Sequence, residues 1–182
     1  SLIDDLDFDS HAYVVGVYID EELVSTLRVS HMTPDHRKGT SLKYFGDVLH
    51  PLLDRGMSFI DPSRFAASAA LPEEMSGLPY ITLRIATMAS IYFEVDHCLA
   101  FVKQMHSAFY RRVFGFFDLA GPRRIGDLSY PVMLCAEDTS NRHDVARRYP
   151  VFQSHPYEQR LLFGRGAEDG LARGASEAVL VQ

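Results

Sequence analysis

A strand-like segment that gives up its side-chain bulk halfway along constrains this chain more than any other feature. Ile60-Asp61-Pro62-Ser63-Arg64-Phe65 is followed by Ala66-Ala67-Ser68-Ala69-Ala70. A core strand ordinarily fills such positions with β-branched or aromatic side chains that pack against the next layer. Small residues leave that space open, so something other than protein is expected beside them, with Asp61 and Arg64 at its edge. Residues three apart on a regular strand face opposite ways. Asp61 and Arg64 therefore share a site only if the chain breaks its alternation. Pro62 marks the expected break, because it holds Asp61 extended and donates no ladder bond.

The surrounding pattern supplies the elements of an α/β (α+β) domain. Residues 12–19 and 23–29 are apolar, β-rich runs separated by Asp20-Glu21-Glu22, which predicts an antiparallel hairpin. Leu42, Phe45, Leu49, Leu52 and Leu53 recur at helical spacing up to Arg55-Gly56, with Pro51 making that helix short or kinked. A strand is expected at about 64–69, then a loop at 71–79. Pro79 suits the first turn of a helix striped by Ile81, Ile85, Met88, Tyr92 and Val95. A short buried strand (99–102), a helix from His106 to Val113 closed by Gly115, and strands at 116–119 and 132–136 follow. Thr139 or Ser140 caps a helix through Tyr149, and Ser154 with Pro156 starts another through Phe163.

Length and composition bound the class. With 182 residues, 47% of them hydrophobic, one core suffices. We expect one domain over 1–165 and a Gly- and Ala-rich flexible tail over 166–182. The chain opens on Ser1 and runs straight into an acidic segment, so the fold has to allow for missing amino-terminal elements. A formal net charge of -6 argues against a broad nucleic-acid surface, which needs a basic excess. The most apolar stretch, 81–95, carries Arg84 and Glu94 and falls short of a membrane span. Cys98 and Cys135 stand far apart in apolar surroundings, reading as reduced core residues of a cytoplasmic protein. His31 and His36 do not form a helical metal pair, and no cysteine cluster completes one, so neither a metal nor a cofactor is expected.

The hairpin, the strand bearing Arg64, the Pro79 helix and the 99–102 strand resemble the acyltransferase fold of the GCN5-related N-acetyltransferase superfamily. His106 through Phe116, with Tyr110 five residues before the glycine of Gly115-Phe116, looks like that superfamily's closing helix. Within it the chain is most similar to the N-acyl amino acid synthases and the autoinducer (acyl-homoserine-lactone) synthases. The likeness rests on Ser25-Thr26-Leu27-Arg28-Val29 and Asp61-Pro62-Ser63-Arg64-Phe65, and covers roughly residues 5–137. It implies an acyl-CoA N-acyltransferase-like fold, with a mixed, mostly antiparallel sheet split near the Ala66 and Leu99 strands and flanked by helices. Autoinducer synthases usually carry glutamate where Asp61 stands. Their amino-terminal arginine and aromatic residues have no counterpart here.

The activity implied is attack of an amine on a thioester, giving an N-acyl product. It needs a deprotonated amine, a donor to the developing oxyanion and a proton for the leaving thiol. Asp61 is the candidate base, directly or through water, or else a partner that orders Arg64. Arg28 pairs with Asp61 or with a carboxylate such as Asp7 or Asp9. The resemblance makes Tyr110 the donor to the leaving sulfur; packing in the core is the alternative. Amides at Ala66 to Ser68 are the candidate oxyanion donors. Phe65, Ala66, Ala67, Ser68, Ala69 and Phe101 are the candidate wall for the acyl chain, where each buried methylene contributes about 0.8 kcal/mol.

The donor is read from the loop before the Pro79 helix. Acetyl-CoA enzymes of the superfamily hold pyrophosphate on a basic, Gly-rich turn at a helix start. Leu71-Pro72-Glu73-Glu74-Met75-Ser76-Gly77-Leu78-Pro79 offers two carboxylates, one glycine and a proline without an N–H. A single phosphate on the pantetheine arm of an acyl carrier protein suits it better. The pairs Arg111-Arg112 and Arg123-Arg124, with His36-Arg37-Lys38 and Arg147-Arg148, would dock the carrier's acidic surface, unless they are solvated faces only. An amino acid or other small amine is the acceptor. An acyl-CoA-dependent or homoserine-lactone-type enzyme, a non-catalytic acyl-binding module and a protein-interaction domain are the alternatives.

Overall fold

The alternating pattern at the start of the chain folds as expected into a hairpin, β1 (Ala12–Ile19) and β2 (Glu22–Met32). Asp20 and Glu21 take φ of 47° and 67° between them. Two consecutive positive φ values give the turn whose twist matches that of the paired strands. The computed structural model describes residues 3–68, 77–126, 128–164 and 179–180.

Five further strands complete one sheet: β3 (Phe59–Ala67), β4 (His97–Lys103), β5 (Phe117–Arg123), β6 (Val132–Ala136) and β7 (Val179–Leu180). Their order is β5-β6-β4-β3-β2-β1-β7. Every junction is antiparallel except β1 with β7 and β3 with β4. The parallel join at the centre is the feature that positions the site. It spans only Phe59 opposite His97 and Ile60 opposite Cys98. Beyond that the strands part, and Pro62, with no N–H to give, lies just past the last paired residue. A parallel pair requires a crossover, which α2 (Leu78–Tyr92) supplies, with Pro79 in its first turn.

Helix α1 (Thr40–Asp54) covers one face, burying Phe45, Leu49 and Leu53 against Met32, Phe59, Leu99 and Leu134. On the other face lie α2, α3 (Ser107–Phe114) and α5 (Pro156–Phe163), around Leu27, Val29, Ile60, Phe114, Phe152 and Phe163. Gly115 closes α3 with φ 68°, its N–H donating to the Arg111 carbonyl at 3.1 Å, as its spacing predicted. Among the described residues no helix is long and apolar enough to cross a membrane.

Three boundaries differ from the sequence expectation. Strand β3 begins at Phe59 rather than near Arg64, because Phe59, Ile60 and Asp61 are fully buried in the centre of the sheet. The proline is tolerated there because β4 has already parted from β3. The bend in α1 falls at Phe45 (φ −126°, ψ 31°), and Pro51 stays inside the helix. The expected helix after Thr139 is a 3-10 turn at Thr139–Asn141 followed by α4 (Arg142–Arg148). Val179–Leu180 pairs with β1; 165–178 lie outside the described residues.

Candidate active site

Where β3 and β4 part, a cleft of about 540 Å³ opens between them. Ser63, Arg64 and Phe65 of β3 form one wall and residues 99–103 of β4 the other. Leu83, Ala86 and Thr87 of α2 and Tyr110 and Phe114 of α3 complete it. Ala86 and Ala100, both nearly buried, supply the small side chains that keep it open. Most of this lining is apolar, and Cys98 stands where the strands still pair.

The opening was expected beside the alanines and lies slightly before them. Phe65 and Phe101 line the cleft; Ala66 lines a shallower groove with Ile3, Phe8, Val14 and Phe65. Ala67 and Ser68 line neither, and Ala69 lies outside the described residues. The Ser68 N–H donates to the Val24 carbonyl at 2.9 Å, so β3 spends it on pairing with β2 and it is not an oxyanion donor.

The chain does break its alternation, at Arg64 rather than Pro62. Arg64 has φ 53°, and the β2–β3 register slips between Thr26 and Arg28, leaving an extra residue on β3. Such a bulge re-aims a side chain. It brings Arg64 to the carboxylates that Arg28 also holds. Arg28 is 2% exposed and donates to Asp4 Oδ1 (2.5 Å), Asp7 Oδ1 (2.8 Å), Thr40 Oγ1 (2.9 Å) and Ser63 Oγ (3.0 Å). Arg64 reaches Asp4 Oδ2 at 2.8 Å and Asp7 Oδ1 at 3.6 Å. The Arg64 guanidinium, with Arg28 behind it, holds the Asp4 carboxyl down to about 2. Of the partners expected for Arg28, Asp7 is one; Asp9 binds His36 and Lys38 instead.

Asp61 pairs with neither arginine. It is completely buried and accepts from the Ser41 N–H at 2.8 Å and Ser41 Oγ at 2.5 Å. Gly39, the residue before α1, makes no side-chain cap, so Asp61 reaches across from β3 to satisfy the helix start. A Cβ on Gly39 would come within 2.6 Å of Asp61 Oδ2 and of Met32 Sδ, so only glycine lets them approach. Burial raises the Asp61 carboxyl above the usual range, with the Ser41 hydrogen bonds pulling the other way. Thr40 and Ser63 line the cleft; Asp61 does not. The expected direct base is thus a helix cap held back from the opening.

Tyr110 lines the cleft wall and packs among Phe109, Phe114 and Phe116. Burial pushes its hydroxyl up to about 12, so it carries its proton at neutral pH. Among the described residues the carboxylate lining the cleft is Glu137, which sequence reasoning missed. It is 6% exposed, and Arg142 donates to its Oε2 at 2.9 and 3.0 Å. No local pattern marks it, because β6 reaches the cleft only through its pairing with β4. Lys103 and His106 also line the opening, at the end of β4 and in the turn beyond.

Most of the proposed docking cations are spent locally, His36, Arg37, Lys38 and Arg147 among them. Arg111 pairs with Asp118 at 2.8 Å, and Arg123 grips Asp47 through two 2.7 Å contacts. Arg112 and Arg124 are exposed, outside any ion pair among the described residues. Cys98 and Cys135 are free and buried. Among the described residues no group of three or more His, Cys, Asp or Glu is placed to hold a metal ion. His31 and His36 belong instead to a stack with His11, whose ring lies 5.9 and 3.8 Å from theirs.

The sequence profile of a family described as N-acyl amino acid synthase FeeM matches residues 1–138. A search of curated proteins finds no significant match. Among solved structures, FeeM, an N-acyl amino acid synthase from uncultured soil microbes, superposes with a TM-score of 0.62 at 14% identity, over 75% of this chain and 72% of that one. The CoA-dependent acyl-homoserine lactone synthase BjaI, with SAM and isopentyl-CoA, gives 0.58 at 12% identity over 80% and 67%. MesI, another CoA-dependent acyl-homoserine lactone synthase, gives 0.55 at 17% over 84% and 74%. At such identities the likeness is one of fold, the acyl-CoA N-acyltransferase-like fold expected from the sequence.

Proposed function

Because the chain belongs to the FeeM N-acyl amino acid synthase family, and is thereby an N-acyltransferase, we propose that it moves a long-chain fatty acyl group from a carrier-protein thioester to the α-amine of an amino acid. The observation that carries this reading is the apolar opening between β3 and β4, with a protonated tyrosine in its wall. An alkyl chain laid there leaves water at about 0.8 kcal/mol per methylene.

The chemistry then falls to groups that touch the opening. The amine attacks the thioester carbonyl, and the carbon–sulfur bond breaks as the tetrahedral intermediate collapses. Tyr110 gives its proton to the departing thiolate. Glu137 is placed to take the proton the amine loses, since both Arg142 contacts fall on Oε2 and Oε1 has no hydrogen bond among the described residues. Asp61 supports the reaction from behind, by fixing the start of α1 where Thr40 meets the cleft. Exposed Arg112 and Arg124 remain for an acidic carrier.

Incubation with a long-chain acyl-carrier thioester and mixed amino acids, followed by mass spectrometry, tests the reading. An N-acyl amino acid is expected. Tyr110→Phe is expected to lower kcat about a hundredfold, the scale of one proton-transfer group, with KM little changed. Tight acyl binding without product from any amine, with carrier-protein and CoA donors alike, would show a binding module instead.

A further inference from the structure

We propose that Lys103 and His106 form an oxyanion subsite at the mouth of the cleft, which holds the phosphate at the far end of the donor's pantetheine arm. The inference rests on the acyl-donor reading above and assigns a part of the site that reading leaves open.

Two charged groups besides these two line the cleft and a third, Arg111, lines the groove next to it; each is already neutralised. Arg64 is engaged by Asp4 and Asp7. Glu137 is engaged by Arg142. Arg111, on the helix that follows, is engaged by Asp118 and Ser107. Lys103 lines both the cleft and the groove next to it, with no carboxylate in ion-pair range among the described residues; its Nζ lies 4.2 Å above the ring of Tyr130, which lines that groove. His106 lines the same opening, exposed, and takes part in no hydrogen bond or ion pair among the described residues. A lysine and a histidine three residues apart, where the chain leaves β4 for α3, present one cation and a second hydrogen-bonding group to an otherwise apolar opening.

Position along the strand decides which anion they meet. Cys98, where β3 and β4 still pair, marks the closed end. Lys103 lies five residues further, about 17 Å along an extended strand. A thioester drawn in far enough to reach Tyr110 leaves its pantetheine arm running outward, toward that pair. Helix α2 offers the phosphate little. Its Gly77 cap contributes no side-chain bond, Leu78 is buried, and Pro79 has no N–H. The cation on β4 takes over what a glycine-rich helix start does elsewhere. The phosphate next to the pantetheine is common to CoA and to a carrier protein's prosthetic arm, so the subsite fits either source.

Equilibrium binding of dodecanoyl-phosphopantetheine and dodecanoyl-pantetheine to the wild-type chain, Lys103→Gln and His106→Gln tests this. The wild type is expected to favour the phosphorylated thioester about tenfold, the scale of one charge-assisted contact, and Lys103→Gln to bind both alike. Wild-type indifference to the phosphate, or an equal loss of both thioesters in Lys103→Gln, overturns the subsite. If the wild type binds neither thioester, the acyl-donor reading itself falls, and the subsite with it. With dodecanoyl-CoA and the dodecanoyl carrier protein, weakening by Lys103→Gln of either or both supports the subsite and identifies the source. Weakening of neither overturns it.

Discussion

The two edges of β3 solve opposite problems with the same nine residues. Toward β2, the strand is paired along its length except at the Arg64 bulge, and its polar side chains join a closed network. Arg28 binds Asp4, Asp7, Thr40 and Ser63, while Asp61 caps α1 through Ser41. Toward β4, pairing stops after Ile60, and an apolar opening of about 540 Å³ is left. One side contains charge with little space, the other space with little charge. The closed side holds the walls of the open one apart: Thr40, Ser63 and Arg64 belong to the network and also line the cleft. A void between apolar walls tends to collapse. Here the rigidity that prevents it is ionic and comes from the neighbouring face of the strand.

Breaking the closed side should produce the largest effect. Arg28→Ala would remove the buried donor shared by Asp4, Asp7, Thr40 and Ser63, leaving the two carboxylates to Arg64 alone. Removing one partner from a fully buried charged network costs about 3–5 kcal/mol; Asp4 is half-exposed and keeps Arg64, so about 3 kcal/mol is expected here. Urea unfolding should show that loss as a fall in midpoint with an unchanged slope. Retention of wild-type stability would mean that the network does not hold the strand.

Filling the open side should spare the fold and damage the activity. Ala86 faces the cleft from α2, and Ala86→Phe would place a ring in its path. Long-chain acyl transfer is expected to fall about a hundredfold, the equivalent of losing three or four buried methylenes. Transfer of an acetyl or butyryl group should fall far less, because a short chain does not reach the ring. Equal loss for all chain lengths would place the acyl chain elsewhere.

How much of this contrast was legible in the sequence depends on whether the signal was local. The hairpin, the Pro79 helix and the Gly115 cap each rest on neighbours within one turn, and all were found. The depleted bulk after Phe65 announced an opening, yet the small residues that line it are Ala86 and Ala100. Those lie on α2 and β4, and only the parting of two parallel strands brings them to the cleft. Arg28 was recognised as needing a carboxylate, and Asp7 was among those named. Asp4 was not, because a three-residue spacing in an acidic opening has many uses besides clamping one guanidinium. Asp61 misled for a physical reason. A carboxylate beside an arginine suggests an ion pair, but a helix start lacking its own cap, twenty residues upstream, competes for it and wins. Glu137 gave no pattern of its own, since its place in the cleft depends on β6 pairing with β4.

The smallest expected effect sharpens the comparison by pH. His31, on β2, stacks on Phe93 at 4.3 Å and faces His11 and His36; Asp9 binds His36 at 2.6 Å and Lys38 at 3.0 Å. Burial, with His11 and His36 adding to it, lowers His31 from the usual 6.5 to about 4. Between those values the unfolded chain binds the proton and the folded chain does not. His31 therefore contributes stability that is present above about pH 6.5 and is lost as pH falls toward 4, on the order of 2 kcal/mol. Asp61 acts with the opposite sign, since its carboxyl is raised and protonation favours the folded state. The difference between the wild type and His31→Gln isolates the histidine. That difference should shrink from neutral pH to pH 4, measured as unfolding midpoints in urea. Tyr110, raised to about 12, does not titrate in this window. A difference that stays flat from pH 7 to 4 would mean that His31 is not held neutral by the β2 face, and that this part of the closed side is as open to water as the cleft.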